Sequence, residues 1–103
     1  MTAARGRWFV YVLLCEGPSL YTGITNDVAA RLEKHRSKKG ARYTRARPPL
    51  GLLGKTSLGD KGAALSVERA FKALPRPRKL AILSRPRGLA AFARRVLVAR
   101  ASR

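Results

Sequence analysis

Trp8-Phe9-Val10-Tyr11-Val12-Leu13-Leu14-Cys15, then Glu16-Gly17-Pro18-Ser19, then Leu20-Tyr21-Thr22-Gly23-Ile24-Thr25: this stretch decides the fold. Its first eight residues are aromatic and β-branched, and apolar without alternation, the pattern of a strand covered on both faces. Gly17-Pro18-Ser19 is a turn and Leu20 to Thr25 a second strand, so the two pair as an antiparallel hairpin. Thr25, Asn26 and Asp27 then supply helix N-cap chemistry, with an acid where the helix dipole favours it. A helix is predicted from about Asp27 to Lys38, ending at Gly40.

Further along, the basic stretch from Lys38 to Arg47, closed by Pro48-Pro49, reads as a loop. Leu50 to Thr56 is a third strand, short or at an edge because of Gly51 and Gly54. Asp60 caps a second helix of about Lys61 to Leu74, whose apolar stripe is Ala64, Val67, Phe71 and Leu74. Pro75 and Pro77 break the chain, Arg78 to Leu83 forms a short helix, and Leu89 to Ala101 has helical spacing. The fold expected is α+β: a small, three-stranded, mainly antiparallel sheet flanked by helices (β-β-α-β-α), with a basic helical C-terminal tail. Residues 1–83 are read as one domain and residues 84–103 as a basic helical extension.

The charge balance narrows the function. Among 103 residues, 23 Lys and Arg stand against 5 Asp and Glu, a formal +18. A fold does not need that much like charge, so a polyanion is the expected partner: nucleic acid first, an anionic membrane surface second. The single cysteine, Cys15, cannot form an internal disulfide; its apolar neighbours make it a buried structural thiol, and a reducing, cytoplasmic setting is expected. The apolar run at Trp8–Cys15 is too short to span a membrane. The only acids are Glu16, Asp27, Glu33, Asp60 and Glu68. Two-metal nucleases need several converging carboxylates, so metal chemistry here would use one ion and one carboxylate.

Three arrangements carry chemistry. Tyr11 and Tyr21 lie on paired strands either side of one turn, so their hydroxyls can meet on one face. Arg31 and His35 are four apart on the first helix and share a face. Glu68 falls within or beside the apolar stripe of the second helix, where an unpaired carboxylate is costly and a metal or cation would relieve it. Each also has a plain reading: core tyrosines with wet hydroxyls, a solvated Arg31, a packed His35, and Glu68 paired with Arg69 or Lys72.

Taken together, these residues resemble the GIY-YIG nuclease superfamily, in particular its small stand-alone bacterial members, related to the N-terminal nuclease domain of the repair nuclease UvrC. Phe9-Val10-Tyr11 stands where Gly-Ile-Tyr belongs, and Tyr21-Thr22-Gly23 where Tyr-Ile-Gly belongs. Arg31 follows on the helix, and His35 occupies a position where many members carry His or Tyr. Lys39-Gly40-Ala41-Arg42-Tyr43-Thr44-Arg45 resembles the Lys-Gly-Ala-Lys-Tyr-Thr-Arg loop of the small members, and Glu68 matches their metal-binding glutamate. The resemblance covers roughly residues 7 to 83. Phe9 departs from the glycine of the first triplet, and Ile24 stands where the UvrC domain has a lysine.

The resemblance implies a metal-dependent endonuclease that hydrolyses phosphodiester bonds, structure-selective or weakly specific, on DNA rather than RNA, with a link to DNA repair. Glu68 would hold one Mg²⁺ or Mn²⁺, and no small-molecule cofactor is expected. Arg31 would bind the phosphate, and Tyr11 would act as base with Tyr21 in support, aided by the metal or by a cation such as His35. Lys38, Lys39, Arg42, Tyr43, Arg45 and Arg47 are expected to bind the nucleic-acid backbone, with Tyr43 stacking on an unpaired base. The rival readings are a non-catalytic nucleic-acid-binding module of the same fold and a C-terminal helix that lies on a membrane surface.

Overall fold

The computed structural model describes residues 7–37 and 46–102. The hairpin forms as expected: β1 (Trp8–Cys15) pairs antiparallel with β2 (Ser19–Thr25), with Tyr11 opposite Gly23 and Leu13 opposite Tyr21. Gly17 turns the chain between them at φ 107°, a conformation that glycine adopts without steric penalty. α1 (Val28–Arg36) follows, then β3 (Pro49–Leu58), α2 (Lys61–Lys72), α3 (Arg76–Leu83) and α4 (Gly88–Ala101). β3 pairs antiparallel with the other side of β1, giving the sheet order β2-β1-β3. It is longer than Leu50–Thr56 and lies at the edge. Two register irregularities, at Val12/Leu13 and Leu14/Cys15, accompany its glycines.

β1 is therefore the central strand, which explains why it is apolar throughout. Val10 and Val12 face one side, where they pack with Ala64, Val67 and Phe71 of α2, Ile82 of α3, and Leu89, Phe92 and Ala93 of α4. Tyr11, Leu13 and Cys15 face the other side, beside Tyr21 and with Leu32 of α1 over them. The fold is thus α+β, with a three-stranded antiparallel sheet between helices. Cys15 is fully buried, and burial pushes its thiol pKa up, as a structural thiol requires.

Both predicted caps form: the Asp27 side chain accepts from the Ala30 N–H, and the Asp60 side chain from the Ala63 N–H. Each such cap contributes about 1 kcal/mol. The segment read as a tail is helical over Gly88–Ala101, and its apolar side sits in the main core. Phe92 meets Phe71 edge-to-face, with ring centroids 5.7 Å apart. Gly88 makes this docking possible, because a Cβ there would fall 1.9 Å from the Ile82 carbonyl oxygen.

Candidate active site

The site is organised around Gly23. A Cβ at this position would stand 2.6 Å from the Tyr11 hydroxyl oxygen, 2.8 Å from Tyr11 Cζ and 3.0 Å from Tyr21 Cε2. Only a residue without a side chain lets both rings lie across β2 here. The tyrosines are on the same sheet face because Tyr11 pairs with Gly23 and Tyr21 with Leu13, two residues along; their ring centroids are 6.2 Å apart.

α1 brings the other half of the cluster, and its phase is fixed where β2 ends. Thr25 Oγ1 accepts from the Asp27 N–H at 3.0 Å and donates to the Asp27 carbonyl at 3.2 Å, while Asp27 caps the helix. From that start, Arg31 and His35 fall one turn apart on the face toward the sheet. His35 is fully buried, with its Nε2 2.8 Å from the Tyr11 hydroxyl and its ring edge-on to Tyr21 at 5.1 Å. No buried side-chain polar atom among the described residues lacks a hydrogen-bond partner, so the cluster is internally satisfied.

The electrostatics assign charge states. Burial, reinforced by the neighbouring Tyr21, holds the Tyr11 hydroxyl pKa well above its ordinary 10.0; the Arg31 guanidinium opposes this, and the Glu68 carboxylate adds slightly to it. His35 is pushed below its ordinary 6.5, first by burial and then by Arg31, and is neutral at pH 7. The cation beside Tyr11 is thus Arg31 and not His35, which corrects the expectation that His35 would assist Tyr11 as a charged neighbour. Arg31 is half-buried and makes no ion pair among the described residues.

Glu68 lies on α2, one residue past the buried Val67, and its side chain is only 15% exposed. It is the one carboxylate whose charge acts on the Tyr11 hydroxyl. Its present partner is Lys72 Nζ, one turn on, at 3.3 Å. Among the described residues no group of three His, Cys, Asp or Glu side chains gathers as a metal cluster.

The structure thus brings Tyr11, Tyr21, Arg31 and His35 together, with Glu68 in electrostatic reach. Of the expected backbone-binding loop, Lys38, Lys39, Arg42, Tyr43 and Arg45 lie outside the described residues. Arg47 is exposed and lies against the hairpin turn, its Nε 3.7 Å from where a Gly17 Cβ would be. Sequence reasoning missed Lys55: on β3 it stands opposite Tyr11 in register, and it is exposed. Only strand register would have found it, since Lys55 and Tyr11 are far apart in sequence. Gly23 was visible as part of a motif, but its steric role needed coordinates.

Residues 7–81 match the GIY-YIG catalytic domain. The chain is 44% identical to a UPF0213 protein of Cupriavidus pinatubonensis over 79 residues, covering 77% of this chain and 88% of the relative. It is 52% identical to one from Streptococcus sanguinis over 75 residues, covering 73% and 86%. The solution NMR structure of a UPF0213 protein from Bacillus halodurans is similar with a TM-score of 0.50 and 41% identity, over 76% of this chain and 83% of that one. The chain therefore belongs to the GIY-YIG family, a nuclease family, as a small UPF0213-type member.

Proposed function

We propose that this protein is a metal-dependent endonuclease that hydrolyses phosphodiester bonds in DNA, selecting substrates by structure and not by base sequence. The observation that carries this reading is the convergence of Tyr11, Tyr21, His35 and Arg31 beneath a glycine that alone permits it, within charge reach of Glu68. The formal +18 supplies the complementary reason for a polyanionic substrate.

Glu68 fits as sole protein ligand of one Mg²⁺ or Mn²⁺, since such ions keep several waters and take remaining oxygens from a phosphate. When bound, the ion would polarise the scissile phosphate and stabilise the leaving oxygen. Arg31, free of a carboxylate partner among the described residues, offers its guanidinium fork to the phosphate as charge develops. Tyr11 is a poor base alone, because burial disfavours its anion. Its hydroxyl is hydrogen-bonded to the neutral His35, so it can take a proton from the attacking water while passing its own proton to Nε2. Tyr21 packs against both partners and holds them in place. Lys38, Lys39, Arg42, Tyr43, Arg45 and Arg47 are the cations and the aromatic residue proposed to bind the nucleic-acid backbone. The cytoplasm is the proposed compartment; no helix among the described residues is long and apolar enough to cross a membrane.

Incubation of labelled single-stranded, duplex and branched DNA, and of matched RNA, with Mg²⁺, Mn²⁺ or EDTA tests this. Metal-dependent cutting of DNA is expected, strongest on branched or single-stranded forms. Tight binding with no cutting under either metal would establish the non-catalytic module instead.

A further inference from the structure

Along the free edge of β3, that strand and α4 leave an open cleft of about 820 Å³. Its floor is apolar, formed by Leu58, Ala93 and Leu97, and its cations are Arg7, Lys55, Arg87 and Arg94. A smaller pocket prolongs it past Leu53 and adds Arg85. Among the described residues, no Asp or Glu lines either. The adjacent acid in sequence, Asp60, has its carboxylate engaged by the Ala63 N–H. None of the five cations has a carboxylate partner among the described residues.

One of these cations is held in a way that leaves it available to an incoming anion, and another sits on an unusual backbone. Arg7 donates from Nε and Nη2 to Ser57 Oγ at 3.0 and 2.7 Å, which fixes the guanidinium at the rim without neutralising it. Arg87 is the only non-glycine with positive φ among the described residues, at 56°. Glycine would adopt that conformation more readily, yet the chain carries a cation there. The stretch that supplies α4, residues 84–103, lies beyond the family match and has six arginines and no acid.

Lys55 joins this cleft to the tyrosine cluster, since it stands opposite Tyr11 in the sheet. From Leu53 to Gly59 the edge runs about 20 Å at roughly 3.4 Å per residue.

We propose that the cleft between β3 and α4 is a second nucleic-acid contact, holding the phosphate backbone of the arm that leaves the Tyr11 cluster. The proposal rests on the nucleic-acid reading above but not on turnover. The arginines fork to successive phosphates, and the apolar floor accommodates the sugar edges between them. Such contact confers affinity and orientation without reading sequence.

The test is fluorescence anisotropy of a labelled duplex with a single-stranded arm, titrated across a salt series. Wild type is compared with the double variant Arg87→Gly/Arg94→Gln and with Lys55→Gln on the opposite wall. All altered residues are exposed, and circular dichroism checks that each variant is folded. Each duplex phosphate left without its cation should reduce the slope of log affinity against log salt by about 0.9. On that basis, a fall of about 1.8 is expected for the double variant and about 0.9 for Lys55→Gln. Unchanged slopes in both would overturn the proposal. So would a double variant that binds DNA normally but loses binding to phosphatidylserine vesicles, which would make the cleft a lipid surface. Cutting is scored separately: a wild type that binds but never cuts sinks the nuclease reading alone, and cutting with unchanged slopes sinks the cleft alone.

Discussion

Gly23→Ala puts one methyl group where the two tyrosine rings cross. The added Cβ would lie 2.6 Å from the Tyr11 hydroxyl oxygen, and comfortable contact needs about 3.4 Å or more, so the ring must retreat by about 0.8 Å. Tyr11 is only 1% exposed and has nowhere to go without lengthening its 2.8 Å hydrogen bond to His35. Overpacking of this kind costs about 1–3 kcal/mol, and loss of the hydrogen bond about 1 kcal/mol within that range. At about 4–8 °C per kcal/mol for a domain of this size, Tm should fall by roughly 10 °C while the protein stays folded at about 25 °C. A displacement of nearly 1 Å among reacting groups lowers turnover about a hundredfold. Differential scanning fluorimetry and single-turnover cleavage of branched DNA measure the two effects, and anisotropy checks that binding is retained. A Gly23→Ala protein with wild-type Tm and wild-type cleavage would refute the steric argument, and with it the assembly of the site about this residue.

Gly88→Ala is expected to be far more damaging than a surface change, because its Cβ would collide with the Ile82 backbone carbonyl at 1.9 Å. A loss of about 3 kcal/mol or more in urea unfolding would mark α4 as part of the fold, whereas a loss below about 0.5 kcal/mol would mark it as a detachable extension. His35, flanked by Tyr11, Tyr21 and Arg31, gives a signed pH dependence. Its pKa is lowered on folding, so the unfolded chain binds the proton more tightly. Its contribution is complete above about 6.5 and declines as pH falls below that value. His35→Gln should flatten the slope of unfolding free energy in that window; an unchanged slope would contradict a neutral buried His35. Lys72→Ala removes the cation now on Glu68, and since such half-exposed pairs are worth at most about 1 kcal/mol, apparent Mn²⁺ affinity should rise up to about fivefold. A fall in affinity, read by Mn²⁺ titration, would show that Lys72 supports the site instead of competing for its ligand.

Much of the architecture was legible because local physics and tertiary context agree. An uninterrupted apolar β1 has to be central, and Asp27 and Asp60 are placed where helices need acceptors. Tyr11 and Tyr21 follow from a hairpin with a short turn, and Arg31 and His35 from helical spacing. β3 outruns its sequence signal because an edge strand with exposed Leu50, Leu52 and Leu53 and two glycines has no clear period. The docking of Phe92 on Phe71 was not legible, because arginine-rich spacing gives charge but not which stripe turns inward. The charge state of His35 and the pairing of Lys55 with Tyr11 depend on burial and register, which spacing does not encode. Glu68 stands out in the sequence as an acid beside an apolar stripe, and its pairing with Lys72 is the plain reading of that position.

If one carboxylate on α2 enables cleavage, metal-dependent cutting by Glu68→Gln, compared with Glu33→Gln, reveals it. Glu33 is the control: it is exposed and paired with Arg36 on α1. Replacing Glu68 by its neutral isostere should leave folding and DNA affinity near wild type, since it keeps the side-chain volume and breaks one ion pair to a half-exposed lysine. Losing the ligand of an ion worth several kcal/mol in the transition state should lower the cleavage rate about a thousandfold. Glu33→Gln should cut like wild type. If Glu68→Gln, separately purified, cuts at the wild-type rate with Mg²⁺ and Mn²⁺, the one-carboxylate nuclease is contradicted.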